Sequence, residues 1–254
     1  EAGMANVDLG LTFFFLMAFV YVLEAERLPA SRRTALCLAG ISSGLMAGVK
    51  LIGIFGIACI VWFPLWDAWR KARLSQGLRE VIFYLLIPCA IVVLPWYVKA
   101  AWYTGNPVYP FFYDIFRGDD WNRALTDRFL AWQLSMGMGR SLEDYALLPI
   151  RVVRNGGIGY GHFDGVVSSR WLWLVPIAIA ISWRSVVARR ALLAALLYFV
   201  LWALSSQQMR FLIPVLALLA LATAIAIDRL ASAVPWRPAR LALLTAVGLA
   251  ASWH

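Results

Sequence analysis

Three ionisable side chains stand at the edges of long apolar runs in this chain: Asp8 in ANVDLGLTFF, Lys50 in LMAGVKLIG and Arg210 in QQMRFLIP. Each has an ordinary reading beside a chemical one. Asp8 can cap a helix, a position that favours aspartate and where the helix dipole adds about 0.3–1 kcal/mol. It can also act on a hydroxyl or bind a metal. A lysine at the centre of a helix in lipid costs about 2.5–3.5 kcal/mol, whereas at a turn it can snorkel to water. Gly48 and Gly53 flank Lys50 and let a backbone or a headgroup come near, so a cation there is placed to hold a lipid phosphate. Arg210 opens an apolar run, where the dipole of a starting helix disfavours positive charge, which points to an anionic partner.

Other polar groups offer less. His162 and Asp164 in GGIGYGHFDG are two possible ligands without a third, on what reads as a mobile glycine-rich loop with a surface histidine. Glu143 and Asp144 follow Ser141 in the spacing of a helix cap. Cys37, Cys59 and Cys89 lie within apolar runs and read as small buried hydrophobes, not as a disulfide framework or metal ligands. There is no nucleophile elbow, P-loop, HExxH or dinucleotide fingerprint.

The elements that must hold these residues are membrane helices. Hydrophobic residues make up 62% of the chain and charged residues 15%, against about 25% charged in soluble domains. The net charge of +9 sits in short clusters between apolar runs, which is how membrane topology is written; nucleic acid is not expected as a partner. A first span is expected over 8–26. Thr34 to Trp66 is too long for one span and divides near Gly48-Val49-Lys50 into a hairpin of two short helices. A fourth span covers 81–98. Further runs start at Trp171, Ala191 and Phe211, the first of them short enough to need residues from Val166 to Arg170. This counts about seven spans plus a truncated eighth from Leu241, in an all-α polytopic bundle.

Between the fourth and fifth spans, residues 99–170 form one long extracytoplasmic loop, dividing the chain into 1–98, 99–170 and 171–254. Its entry is WYVKAAWYTGNPVYPFFY, residues 96–113. The aromatics suit a membrane–water boundary, and Gly105, Pro107 and Pro110 forbid helix. Asn106 and Tyr109 lie in that turn, and with His162 and Asp164 they mark the side from which an acceptor would approach. Asp119-Asp120 precede an amphipathic helix with Leu125, Phe129 and Trp132 on one face, suited to the membrane surface; a second short helix follows Ser141 and ends at Gly156-Gly157. With this division every basic cluster falls on one side, read as cytoplasmic, while Asp8, Lys50, the long loop and Arg210 share the other. A start at Glu1 without Met and an end inside an apolar run suggest an interior piece of a larger protein.

These residues carry a resemblance. Val7-Asp8-Leu9, Ala47-Gly48-Val49-Lys50, Trp96-Tyr97 with Gly105-Asn106-Pro107-Val108-Tyr109-Pro110-Phe111, and Arg210-Phe211-Leu212-Ile213-Pro214 together resemble the GT-C membrane glycosyltransferases. That superfamily includes protein O-mannosyltransferases and the bacterial aminoarabinose transferase. The resemblance implies a plasma (inner) membrane enzyme with its site facing the periplasm or exterior. It would move a sugar from a polyprenyl-phosphate donor, with inversion, to a hydroxyl on a glycan, lipid or protein. It assigns Asp8 to the acidic residue near the active site before the family's fourth helix, and Lys50 and Arg210 to the lipid phosphate. A divalent metal ion is the alternative stabiliser of that phosphate. Asn6 stands where an aromatic is common, and Leu51 where Tyr or Gly is frequent. The family's principal catalytic aspartate lies in an earlier outer loop not represented here, so this stretch alone should be inactive. A lipid-linked sugar flippase or secondary transporter is the alternative, and a structural membrane subunit a third reading. Ionisable residues at one face, rather than within the spans, favour an interfacial site over a conduit.

Overall fold

The computed structural model describes residues 7–159 and 161–233, and among these the architecture is helical throughout. The only strand-like pairing among them is a single antiparallel bridge between Gly157 and Gly165. The expected eighth apolar run, from Leu241, lies outside the described residues.

Helix α1 spans Val7–Arg27, α2 Arg32–Val49 and α3 Gly53–Arg70. The division expected near Lys50 is observed: Lys50 ends α2 in extended conformation, and Leu51 and Ile52 turn the chain into α3. Helix α4, Leu74–Val81, continues through a π-helical turn, Ile82–Leu86, into α5, Ile87–Thr104. The fourth apolar helix therefore outruns its expected bounds of 81–98 at both ends. Nothing in Lys99-Ala100-Ala101-Trp102 opposes helix, and the stop comes at Gly105, whose φ of 71° suits a residue without a Cβ. The loop carries α6 (Tyr113–Phe116), α7 (Arg123–Ser135) and α8 (Leu142–Arg154). Helices α9 (Trp171–Ser182), α10 (Val186–Ala203) and α11 (Ile213–Ala233) complete the bundle, with a 3₁₀ turn, Met209–Leu212, leading into α11.

Four of these segments are long and apolar enough to cross a membrane: Val7–Arg27, Leu74–Thr104, Val186–Ala203 and Met209–Ala233. The protein is thus a multi-pass membrane protein. Helix α9 does not borrow from 166–170 as expected. It begins at Trp171, because Val166 to Ser168 are irregular and Ser169-Arg170 form a turn. Its 12 residues are too few to cross a hydrocarbon core that takes about 20.

In lipid, helices associate through close packing, since the surrounding tails are as apolar as the helix faces. Helix α2 supplies a seam for that purpose. Gly40, Gly44 and Gly48 repeat at every fourth residue, and α5 with its π turn lies against them. A Cβ on Gly40 would sit 2.3 Å from the Leu85 carbonyl oxygen, and one on Gly44 2.6 Å from that of Cys89. At Gly48 it would meet the Trp96 ring at 2.9 Å. Phe15, Phe19, Phe63, Tyr198 and Trp202 fill the centre of the bundle, each with no more than 1% of its surface exposed.

The two ends differ in chemistry. At one, Arg32 pairs with Glu80, Lys71 and Arg73 with Asp67, and Arg190 with Glu26. The other carries Asp8, Lys50, Thr104 and the 204–212 turn, beneath the long loop.

Candidate active site

Antiparallel packing of α1 against α2 brings the start of the first helix beside the end of the second. Asp8 lies in the first turn of α1, its residue 3% exposed. Its carboxylate turns toward the neighbouring helix end, where the Lys50 ammonium donates to Oδ1 at 2.9 Å. The Asp8 carbonyl accepts from the Thr12 hydroxyl at 2.8 Å, an ordinary bond within the helix. A carboxylate this buried is costly unless paired, and Lys50 is the partner that makes its ionised form tolerable.

Arg210 arrives from the opposite side of the chain. The 3₁₀ turn places the Phe211 ring near both cations, with Lys50 Nζ 4.0 Å from its centre and Arg210 Cζ 5.1 Å. Aromatic faces attract cations at such distances. Arg210 is oriented from behind, its Nε donating to Gln208 Oε1 at 2.9 Å, while the Gln208 carbonyl accepts from Trp202 Nε1 at 2.8 Å. The two Nη groups of Arg210 meet no acceptor among the described residues. Burial pulls the Lys50 ammonium below the usual lysine range. The bond and charge of Asp8 oppose that shift, and the charge of Arg210 adds to it. Lys50 and Arg210 both lie near the Phe211 ring, and the carboxylate of Asp8 pairs with Lys50, so positive charge exceeds negative in this half-buried place.

Of the close approaches expected at Gly48 and Gly53, protein atoms make both. Trp96 fills the space at Gly48, and the end of α2 itself fills that at Gly53, where a Cβ would lie 2.8 Å from the Met46 oxygen. They permit helix packing.

The loop residues serve chiefly to shape the loop. Asn106 is fully buried; its amide donates to the carbonyls of Phe111 (2.8 Å) and Arg117 (3.0 Å), and its Oδ1 accepts from the Val108 N–H (2.9 Å). Tyr109 packs edge-on to Trp121, and Phe129 meets both Trp121 and Phe111. The cap of α7 is Asn122, accepting from the Leu125 N–H, and not the aspartate pair before it. Ser141 and Asp144 form the reciprocal cap expected for α8. His162 is exposed, with Nδ1 3.3 Å from the Asn155 carbonyl, and Asp164 is half-buried with a positive φ of 52°. Among the described residues, none of these four bonds to Asp8, Lys50 or Arg210.

Two anchors have little sequence signal. Phe163 is fully buried against Trp202, and its carbonyl accepts from the Met209 N–H, so the glycine-rich stretch is pinned near its C-terminal end. Arg140 donates to the carbonyls of Ala203 (3.0 Å) and Ser205 (2.6 Å), answering the unpaired acceptors and negative dipole at the end of α10. Both tie the loop to the turn that carries Arg210.

Beside that turn opens an apolar groove of about 500 Å³ lined by Val153, Trp171, Val175, Phe199, Leu212 and Leu216. Among the described residues there is no group of three or more potential metal ligands.

Fold and site together define a multi-pass helical membrane protein with a carboxylate and two cations gathered at one end. Residues 1–106 match the family model of dolichyl-phosphate-mannose-protein mannosyltransferase, which is consistent with the GT-C resemblance. The match includes Asp8 and Lys50 and stops short of Arg210. No curated protein and no solved structure gave a match.

Proposed function

We propose that the protein is a glycosyltransferase that moves a sugar from a polyprenyl-phosphate donor to a hydroxyl acceptor at the outer face of the membrane, with inversion. The observation that carries this reading is the pair of cations at Phe211, with Lys50 bonded to Asp8 and the Nη donors of Arg210 left unengaged, and an apolar groove that begins at the neighbouring Leu212. A lipid-linked phosphate fits both features, with its charge on the cations and its isoprenoid tail along Leu212 and Leu216. The family match implies a lipid-linked sugar donor for proteins of that kind.

In the proposed reaction a carboxylate takes the proton of the acceptor hydroxyl, and the hydroxyl oxygen bonds to the anomeric carbon from the face opposite the phosphate. The bond from that carbon to the phosphate oxygen breaks, and the leaving lipid phosphate keeps the electron pair, stabilised by Lys50 and Arg210. Asp8 is the described carboxylate placed for the proton. The loop, 99–170, would cover the site and select the acceptor, with Asn106 shaping its entry and Tyr109, His162 and Asp164 nearer its surface. The basic end faces the cytoplasm in this reading, and the membrane is the plasma membrane. The transporter alternative is not favoured by the family match.

The test is transfer from a polyprenyl-phosphate sugar by the intact protein in liposomes. Asp8→Asn should slow turnover by roughly 10²–10⁴-fold, the usual contribution of a general base. Lys50→Ala and Arg210→Ala should each lose transfer while expression is normal. Unchanged transfer in all three removes the assignment.

A further inference from the structure

We infer that Phe211 is a positioning residue whose ring holds the Lys50 ammonium between Asp8 and the donor's phosphate, so that donor binding draws Lys50 away and frees the carboxylate for the acceptor. This rests on the reading above and adds an order to it: donor first, acceptor second.

The geometry carries the inference. Lys50 Nζ is bonded to Asp8 at 2.9 Å and lies 4.0 Å from the centre of the Phe211 ring. While that bond stands, Asp8 has a proton donor on Oδ1, so the carboxylate is engaged before any hydroxyl arrives. The same ring has Arg210 Cζ at 5.1 Å, and Gln208 fixes that guanidinium from behind. Two like charges near each other repel, and attraction of each to the same ring offsets part of that repulsion. An anion bound by the open Nη donors of Arg210 would lie beside an ammonium that can turn toward it without leaving the ring. Lys50 rotates about four single bonds and is half-buried, whereas Arg210 is tethered. The movable partner is therefore Lys50.

The experiment alters the ring's charge without altering its shape. Phenylalanine at position 211 is replaced by mono-, di- and trifluorophenylalanine in the intact protein, and binding of a polyprenyl monophosphate is titrated in detergent micelles. Fluorine drains the negative face of the ring, so Kd should rise stepwise, reaching roughly three- to thirtyfold for the trifluoro variant. Phe211→Trp should bind within about threefold of the wild type, since an indole is at least as good a face. Initial rates should follow ordered kinetics, with no acceptor binding in the absence of donor. A Kd indifferent to fluorination overturns the role of the ring, and random-order kinetics overturns the unmasking of Asp8. Lys50→Ala and Arg210→Ala are titrated alongside. If they weaken binding and fluorination does not, only the ring's role fails; if neither weakens binding, the donor-site reading itself fails.

Discussion

Lys50 shows how one side chain can be stabilised by what surrounds it while remaining available for chemistry. Its carboxylate partner is almost fully enclosed, and its own stem lies in a helical hairpin that leaves the ammonium half-covered. Burial lowers its proton affinity, Asp8 restores part of it, and Arg210 lowers it again. Because the net shift is downward from 10.5, Lys50 loses its proton at a lower pH than a free lysine would. Donor binding should therefore weaken on the alkaline side before the ordinary lysine range is reached. A titration of polyprenyl monophosphate binding against pH checks this, and Lys50→Arg, which stays charged, should abolish the alkaline fall. Sequence alone singled out Asp8, Lys50 and Arg210, because an ionisable group at an apolar edge is costly and so stands out. It passed over Phe211, which is one more apolar residue in a run of them.

Helices place these residues through local chemistry that is partly legible in sequence. The hairpin at Lys50 could be anticipated from length and charge, and the cap of α8 from Ser141 and Asp144. Arg140 and Phe163 could not, because their partners lie 63 and 39 positions away and reveal themselves only when the loop is folded. Gly48 and Gly53 show the same limit: a missing Cβ tells that something approaches, and only the fold tells that it is the Trp96 ring at one and the α2 backbone at the other. Replacing Gly40 with Val would drive a side chain into the Leu85 backbone, where no rotamer can yield. We expect about 1–3 kcal/mol of destabilisation or more, read as a lowered melting temperature in detergent, with Gly10→Val, which meets nothing within 4 Å, as the control. Asp144 gives the pH counterpart. The Ser141 backbone N–H, Arg151 and the Ser141 hydroxyl hold its carboxyl at about 2, below the ordinary 3.8. Its contribution is fully present above the ordinary value and lost as pH falls through about 2, so α8 should keep its hydrogen-exchange protection at pH 4 and lose part of it toward pH 2. Asp144→Asn should flatten that dependence.

On the scale of the whole molecule, ion pairs gather at one end of the bundle and the long loop is fastened at the other. The loop is fastened to the 204–212 turn through Arg140 and Phe163, so the covering element and the cation site form one structure. Segment order and the sidedness of the charge clusters follow from apolar length and basic residues. The run at Trp171 already reads as short; that 166–170 do not lengthen it is not legible, because hydropathy cannot see where a turn interrupts the chain. In the proposed reaction Lys50 and Arg210 jointly hold the phosphate of a lipid-linked donor beside Asp8. The most direct test of that joint hold is the affinity of the intact protein for a polyprenyl monophosphate, compared among the wild type, Lys50→Ala, Arg210→Ala and the double variant. Charged hydrogen bonds contribute enough that each single change should weaken binding by roughly tenfold or more, and the double change by more than either. An affinity that stays the same in all four proteins would contradict the account.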